Sequence, residues 1–274
     1  MDEPTDGFNP PATHRPYTVQ RMMVHVLIIG CVLGVFARVG RGVGRAREAA
    51  RSSICVGILK QIALALRNYE STWGCFPPAY VADAQGKPMH SWRVLILPYL
   101  GQDTLYQRYR FDEPWDGPHN RLLHDIPISL FSCPNHTDHV NRHETSYLAV
   151  VGHGTLFPGG NQTTRLVDVR DGTDQTIMVV ESATTHIHWM EPRDLDLNRM
   201  GLRINDLSRP SISSWDREGT TSGPHIVTVG TMVRSFTTAM PPSYQRSLVI
   251  PSTMPPAQLR ALLTINGGER VELP

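Results

Sequence analysis

Residues 22–37 read Met-Met-Val-His-Val-Leu-Ile-Ile-Gly-Cys-Val-Leu-Gly-Val-Phe-Ala, an apolar run broken only by His25 and closed by Arg21 and Arg38. No other feature of the chain limits its folding so sharply. Its 16 residues fall just short of the ~17 to 25 that cross a bilayer. Taking in Val19 and Val39, with the arginines snorkelling to the interface, makes the span long enough. The run predicts a membrane anchor over about 21–39, with a cleaved signal and a buried core helix as the alternatives. Ahead of it, residues 1–20 carry Pro4, Pro10, Pro11 and Pro16 with Asp2, Glu3 and Asp6. That stretch has nothing to bury and reads as a disordered tail.

Past the anchor the helical pattern continues. Ala46, Ala50, Ile54, Ile58, Ile62, Leu66 and Tyr69 follow four- and three-residue steps, with Arg47, Arg51, Lys60 and Arg67 elsewhere, and Gly74 precedes Pro77-Pro78. This predicts one helix over 21–73, part in the membrane and part packed on a soluble domain over 74–274. Such a helix is similar to that of type IV pilins and of the pseudopilins of type II secretion.

The 274 residues hold 26 Lys+Arg against 25 Asp+Glu, a net charge of +1 that lacks the basic footprint of a nucleic-acid binder. Nucleic acid is therefore not an expected partner. Arg38, Arg41, Arg45, Arg47 and Arg51 crowd the C-terminal flank of the anchor. By charge alone they would keep the following domain in the cytoplasm.

From residue 79 onward, Val94–Leu97, Tyr147–Val151, Thr176–Val180 and Ile226–Val229 are β-rich runs bounded by turn residues, and Asp171-Gly172 fits a tight turn. Short helices are expected at Thr104–Arg110 and Ala257–Leu263. The class predicted is α+β: a long helix on an antiparallel sheet with long loops.

Among groups with chemistry, Cys133, His136, His139 and His143 have gaps that a zinc site could use, and His186-x-His188 invites the same reading. The prolines and polar residues around the first set favour a solvated loop. Asp112, Glu113 and Asp116 flank Trp115 and could supply oxygen ligands, although a turn anchored by the tryptophan is the simpler reading. Gly40-x-Gly42-x-Gly44 follows no strand, and no nucleophile elbow, His-Glu-x-x-His or Walker sequence is present. No catalytic, cofactor or metal residue is assigned.

Ala46-Arg-Glu-Ala-Ala-Arg51, Cys55, Leu59-Lys60-Gln61-Ile62, Asn68-Tyr69 and Phe76-Pro77-Pro78 resemble the opening of a large planctomycete family of pilin-like proteins. Its domain is catalogued as domain of unknown function 1559 and also carries a solute-binding-protein label. The likeness continues through Ser91-Trp92-Arg93 to Leu100, Glu113-Pro-Trp115-Asp116 with Asn120, and Phe131-Ser-Cys133-Pro134. It runs on through Thr145-Ser-Tyr147 to Gly152, Asp171-Gly172-Thr173 to Glu181, Trp189 to Pro192, and Leu259 to Glu269.

Family members are expected outside the cytoplasmic membrane, and the resemblance places this soluble domain there, against the charge count. It also makes Cys55–Cys133 the first choice of disulfide and Cys75–Cys133 the second, with buried thiols as the alternative. Two departures stand out. Where such proteins carry Gly-Phe-Thr-Leu-Ile/Val-Glu for processing and subunit packing, this chain reads Gln20-Arg21-Met22-Met23-Val24-His25. Where many carry His followed nine residues later by Asp-Gly, it keeps His225 in a shortened segment without the Asp. The expectation is a non-enzymatic, single-pass envelope protein with a retained anchor, partnered by the membrane and by other pilin-like subunits or secretion-system components. The alternatives are a solute- or glycan-binding module using Trp92, Trp115 and Trp189, and a metal-dependent envelope enzyme.

Overall fold

The computed structural model describes residues 19–134, 143–183, 185–206, 208–214, 223–237, 249–268 and 271. Residues 1–18 of the expected tail and two of the suggested zinc ligands, His136 and His139, lie outside these, while Val19 and Gln20 of that tail are helical. The protein is α+β, as the pattern implied, and divides into two compact units, Met1–Arg47 and Glu48–Pro274.

Helix α1 runs over Val19–Trp73. Within the first unit, the segment Arg21–Gly40 is long and apolar enough to cross a membrane, and none of it is buried. Its one polar ring is satisfied locally: His25 Nδ1 lies 2.6 Å from the Arg21 carbonyl, one turn back. Ala49–Trp73, in the second unit, passes the same test of length and composition, but one side of it, with Cys55, Leu59, Ile62 and Leu66, goes into a protein core.

In the second unit a five-stranded sheet has the order β3-β5-β7-β8-β9, from β3 (Tyr147–Leu148), β5 (Ile177–Glu181), β7 (His225–Thr228), β8 (Val233–Thr237) and β9 (Val249–Pro251). Its ladders are antiparallel except for β8 with β9. Two small sheets accompany it: antiparallel β1 (Tyr80–Ala82) with β2 (Pro88–Ser91), and parallel β4 (Val150–Val151) with β6 (Leu195–Asp196). Strand alternation sends Tyr147, Val179 and Val227 into the core that holds Cys55, Leu59, Ile62 and Leu66 of α1. Leu148, Val180, Ile226 and Phe236 face a second core closed by Leu259, Leu262 and Leu263 of α4 (Pro256–Leu263). The sheet thus lies between α1 and α4.

Two expectations are corrected. Ile54 is 52% exposed, and the buried side of α1 is Cys55, Ile58, Leu59, Ile62, Ala63 and Leu66. Successive four-residue steps advance about 40° each on a helix with 3.6 residues per turn, so the row from Ala46 to Leu66 winds round the helix and cannot share one face. Residues 94–97 are not a strand. Ser91 accepts a hydrogen bond from the Arg93 N–H and starts the one-turn helix α2 (Trp92–Leu95), which passes into a 3₁₀ turn, Leu97–Leu100, closed by Gly101 at φ 70°. The helix expected at 104–110 is α3, Asp103–Arg108.

Candidate functional site

One register row of the sheet carries polar side chains toward α1. Tyr147 pairs with Glu181, and His225 pairs with Ser235. The β5–β7 register continues to place Glu181 beside His225, whose N–H donates to Glu181 Oε2 at 3.0 Å. His225 Nδ1 lies 2.6 Å from Ser235 Oγ, and its Nε2 lies 3.2 Å from Ser52 Oγ on α1. One turn further along α1, Cys55 meets the row. Its Sγ, the Cys133 Sγ and a Glu181 carboxylate oxygen all lie within 4.8 Å of one another. Cys133 is held against β3 by its N–H, which donates to Ser146 Oγ at 3.0 Å. All of these groups except Ser52 and Ser235 are essentially excluded from water.

Electrostatics follow from that burial. Desolvation holds His225 below the ordinary imidazole range, outweighing the opposing field of Glu181. Desolvation also drives Tyr147 well above the usual phenol range, helped by Cys133, Glu181 and Cys55. Apart from Ser52 and Ser235 at its edge, the row is an enclosed set of nucleophiles and acids.

On the solvent side of α1 and the β7–β8 turn lies a groove of about 460 Å³ lined by Ser52, Ser53, Val56, Lys60, Thr231, Met232, Val233 and Ser235. Its lining offers hydroxyls and one ammonium, with no carboxylate, imidazole or thiol for acid–base or nucleophilic work.

A second buried constellation is built on Ser91-Trp92-Arg93. The Arg93 guanidinium sits in the interior with Nη2 2.5 Å from Asp194 Oδ1, and it also donates to the Tyr147 carbonyl. Asp194 accepts from Trp92 Nε1 at 3.1 Å and from the Ala149 N–H at 2.8 Å. Burial pushes its carboxyl up to about 6 despite the adjoining Arg93, and burial likewise lowers Arg93. This knot ties α2, β3 and the segment before β6 together. It is structural, because both charges are consumed by each other and by the backbone.

The remaining groups singled out from the sequence are placed as follows. Trp92 and Trp189 are core residues, so they form no aromatic binding surface. Trp115 stacks on His124 with centroids 5.1 Å apart, and His188 lies 4.6 Å from His124. His188 Nδ1 accepts from the Met190 N–H, which leaves Nε2–H to donate to the His124 carbonyl, so the ring is neutral with both nitrogens engaged. Its pKa falls to about 4, chiefly through burial. His186, at φ 46°, is exposed and bonded to Glu144, so His186 and His188 do not share a strand face. Glu113 accepts from the Asn120 N–H at 2.6 Å and closes the turn that carries Trp115; Asp112 and Asp116 are exposed. Cys133 faces Cys55 and Glu181, while His143 stacks on His188. Cys75 is partly exposed.

Neither Glu181 nor Tyr147 stands out in the sequence as a candidate site residue. A signal was present. An acid ends one apolar strand and an imidazole begins the strand that pairs with it antiparallel, so the two polar residues become neighbours.

The first unit holds an apolar helical segment and the second is α+β. The family model described as protein of unknown function (DUF1559) matches residues 44–155, which supports membership of the family that the motifs resemble. No curated protein and no solved structure matches the chain.

Proposed function

We propose that this is a membrane-anchored, pilin-like envelope protein with a structural or interaction role and no enzymatic activity. The observation that carries the reading is the surface of α1 over Arg21–Gly40. There Leu27, Ile28, Ile29, Leu33 and Phe36 are all exposed in a segment without a single acid. An apolar helical surface of that length is stable against lipid and unstable in water. Family resemblance supports an orientation with residues 48–274 on the outer side of the cytoplasmic membrane, and other pilin-like subunits or secretion components as partners.

Fractionation of cells expressing the full chain tests the anchor. The protein should sediment with membranes, resist alkaline carbonate and leave them only in detergent. Recovery in the soluble fraction would overturn the reading. Protease added to intact spheroplasts should destroy the segment after residue 48, and protection until lysis would reverse the orientation.

A further inference from the structure

Three ligand atoms from distant parts of the chain meet between α1 and the sheet. Cys55 comes from the helix, Cys133 from the segment after a 3₁₀ turn at Ser129–Phe131, and Glu181 from the end of β5. We propose that Cys55, Cys133 and Glu181 bind a structural zinc ion that fastens α1 to the sheet, with the Tyr147 hydroxyl as a supporting donor.

The donor set fits. Thiolate sulfur selects zinc over magnesium or calcium, and a carboxylate is a regular companion ligand. Zinc bonds of about 2.3 Å to sulfur and 2.0–2.2 Å to oxygen put tetrahedral ligand atoms roughly 3.5–3.8 Å apart. The three atoms here are already within 4.8 Å of one another, so side-chain adjustment of about an ångström completes the geometry.

Two further observations point to a cation. The Glu181 carboxylate is buried and accepts from the His225 N–H, yet among the described residues no arginine or lysine forms an ion pair with it. Buried carboxylates are stable when paired or bound to a metal. The Tyr147 hydroxyl is buried in the same core as Cys55 and Cys133 and has no well-formed hydrogen bond. A zinc-bound thiolate would be a stronger acceptor for this O–H than a neutral thiol.

Charge balance also holds. Two thiols release two protons to solvent as Zn²⁺ takes up the two thiolates, while the carboxylate binds as it stands. The buried group carries −1 before and after, so binding adds no uncompensated charge. A Cys55–Cys133 disulfide would instead use both sulfurs and leave Glu181 and Tyr147 as they are.

The test uses the full chain, purified in detergent without chelator from zinc-supplemented cells. Elemental analysis should find about one zinc per chain, falling at least tenfold in Cys133→Ser and in Glu181→Gln. A variant with His136→Ala and His139→Ala should keep it. Cobalt substituted for zinc should show tetrahedral ligand-field bands and thiolate-to-metal charge transfer. If Cys133→Ser does not fold, titrating a Cys31→Ser, Cys75→Ser chain, whose remaining thiols are Cys55 and Cys133, with an organomercurial should release one zinc for every two thiols modified. Zinc below a tenth per chain in the parent, or zinc retained in Glu181→Gln, would overturn the proposal. So would an intact mass two hydrogens lighter than the dithiol. The site does not depend on the membrane reading, so either can fail without the other.

Discussion

Ile54 and Ile62 are both isoleucines on α1, two helical turns apart, and the structure assigns them opposite fates: Ile62 is fully buried and Ile54 is 52% exposed. Truncating Ile62 to alanine removes three carbons from a packed site. At about 0.8 kcal/mol per methylene, the transfer loss is roughly 2.4 kcal/mol. The cavity left among Leu59, Leu66 and their sheet partners adds to this, for a total of about 3–4 kcal/mol, within the range of ~2–5 found for such truncations. Ile54→Ala removes the same atoms from a side chain already half in water and should cost under about 1 kcal/mol. Chemical denaturation of the detergent-solubilised full chain, followed by fluorescence of the buried Trp92 and Trp189, measures both. Equal costs for the two variants would mean that α1 does not pack on the sheet by the Cys55–Ile62 face, and the architecture described here would fall.

Three other outcomes follow from particular contacts. Asp194→Ala strands the Arg93 charge in the interior and leaves Trp92 Nε1 and the Ala149 N–H without an acceptor, so it should cost about 3–5 kcal/mol in the same denaturation assay. Asp171→Ala should cost about 1–2 kcal/mol, because the carboxylate accepts from the Gly267 and Gly268 N–H groups and closes the chain after α4; hydrogen exchange at those two amides reads the loss directly. His188 has its folded pKa lowered to about 4, below the ordinary 6.5, so its contribution is fully present above pH ~6.5 and is lost as pH falls toward 4. The full shift is worth about 3 kcal/mol, and solvent screening of a partly exposed ring brings it to about 1–2. The stability difference between the parent and His188→Gln should shrink by that amount from pH 7 to 4. Taking the difference also removes Asp194, whose raised pKa acts in the opposite sense over part of the same window.

Local regularity made the long helix, the paired strands β5 and β7 and the terminal helix α4 legible in the sequence, since each is a run of apolar residues at one period with turn residues at its ends. Val94–Leu97 was misread because a four-residue apolar run fits a strand or a buried helical turn equally well, and only the serine cap at residue 91 decides between them. The phase of α1 was misread because a row of equal four-residue steps drifts round the helix. The Cys55–Cys133 proximity was reachable through the family motifs, whereas the arrival of Glu181 at the same point was not. That meeting depends on the β3–β5 register and on which face of β5 looks toward α1, and both are properties of the assembled sheet.

The Arg93–Asp194 knot bears on when this chain finishes folding. The guanidinium lies inside residues 44–155, the segment matched by the family model, but its carboxylate lies 101 residues further on and outside that segment. Ser91 can cap α2 as soon as the first hundred residues exist. The arginine behind it cannot be buried without an uncompensated charge until Asp194 has been synthesised and brought against β3. The segment 44–155 therefore cannot close this knot by itself, and a nascent chain stopped at that boundary holds a cation whose partner has not yet been made.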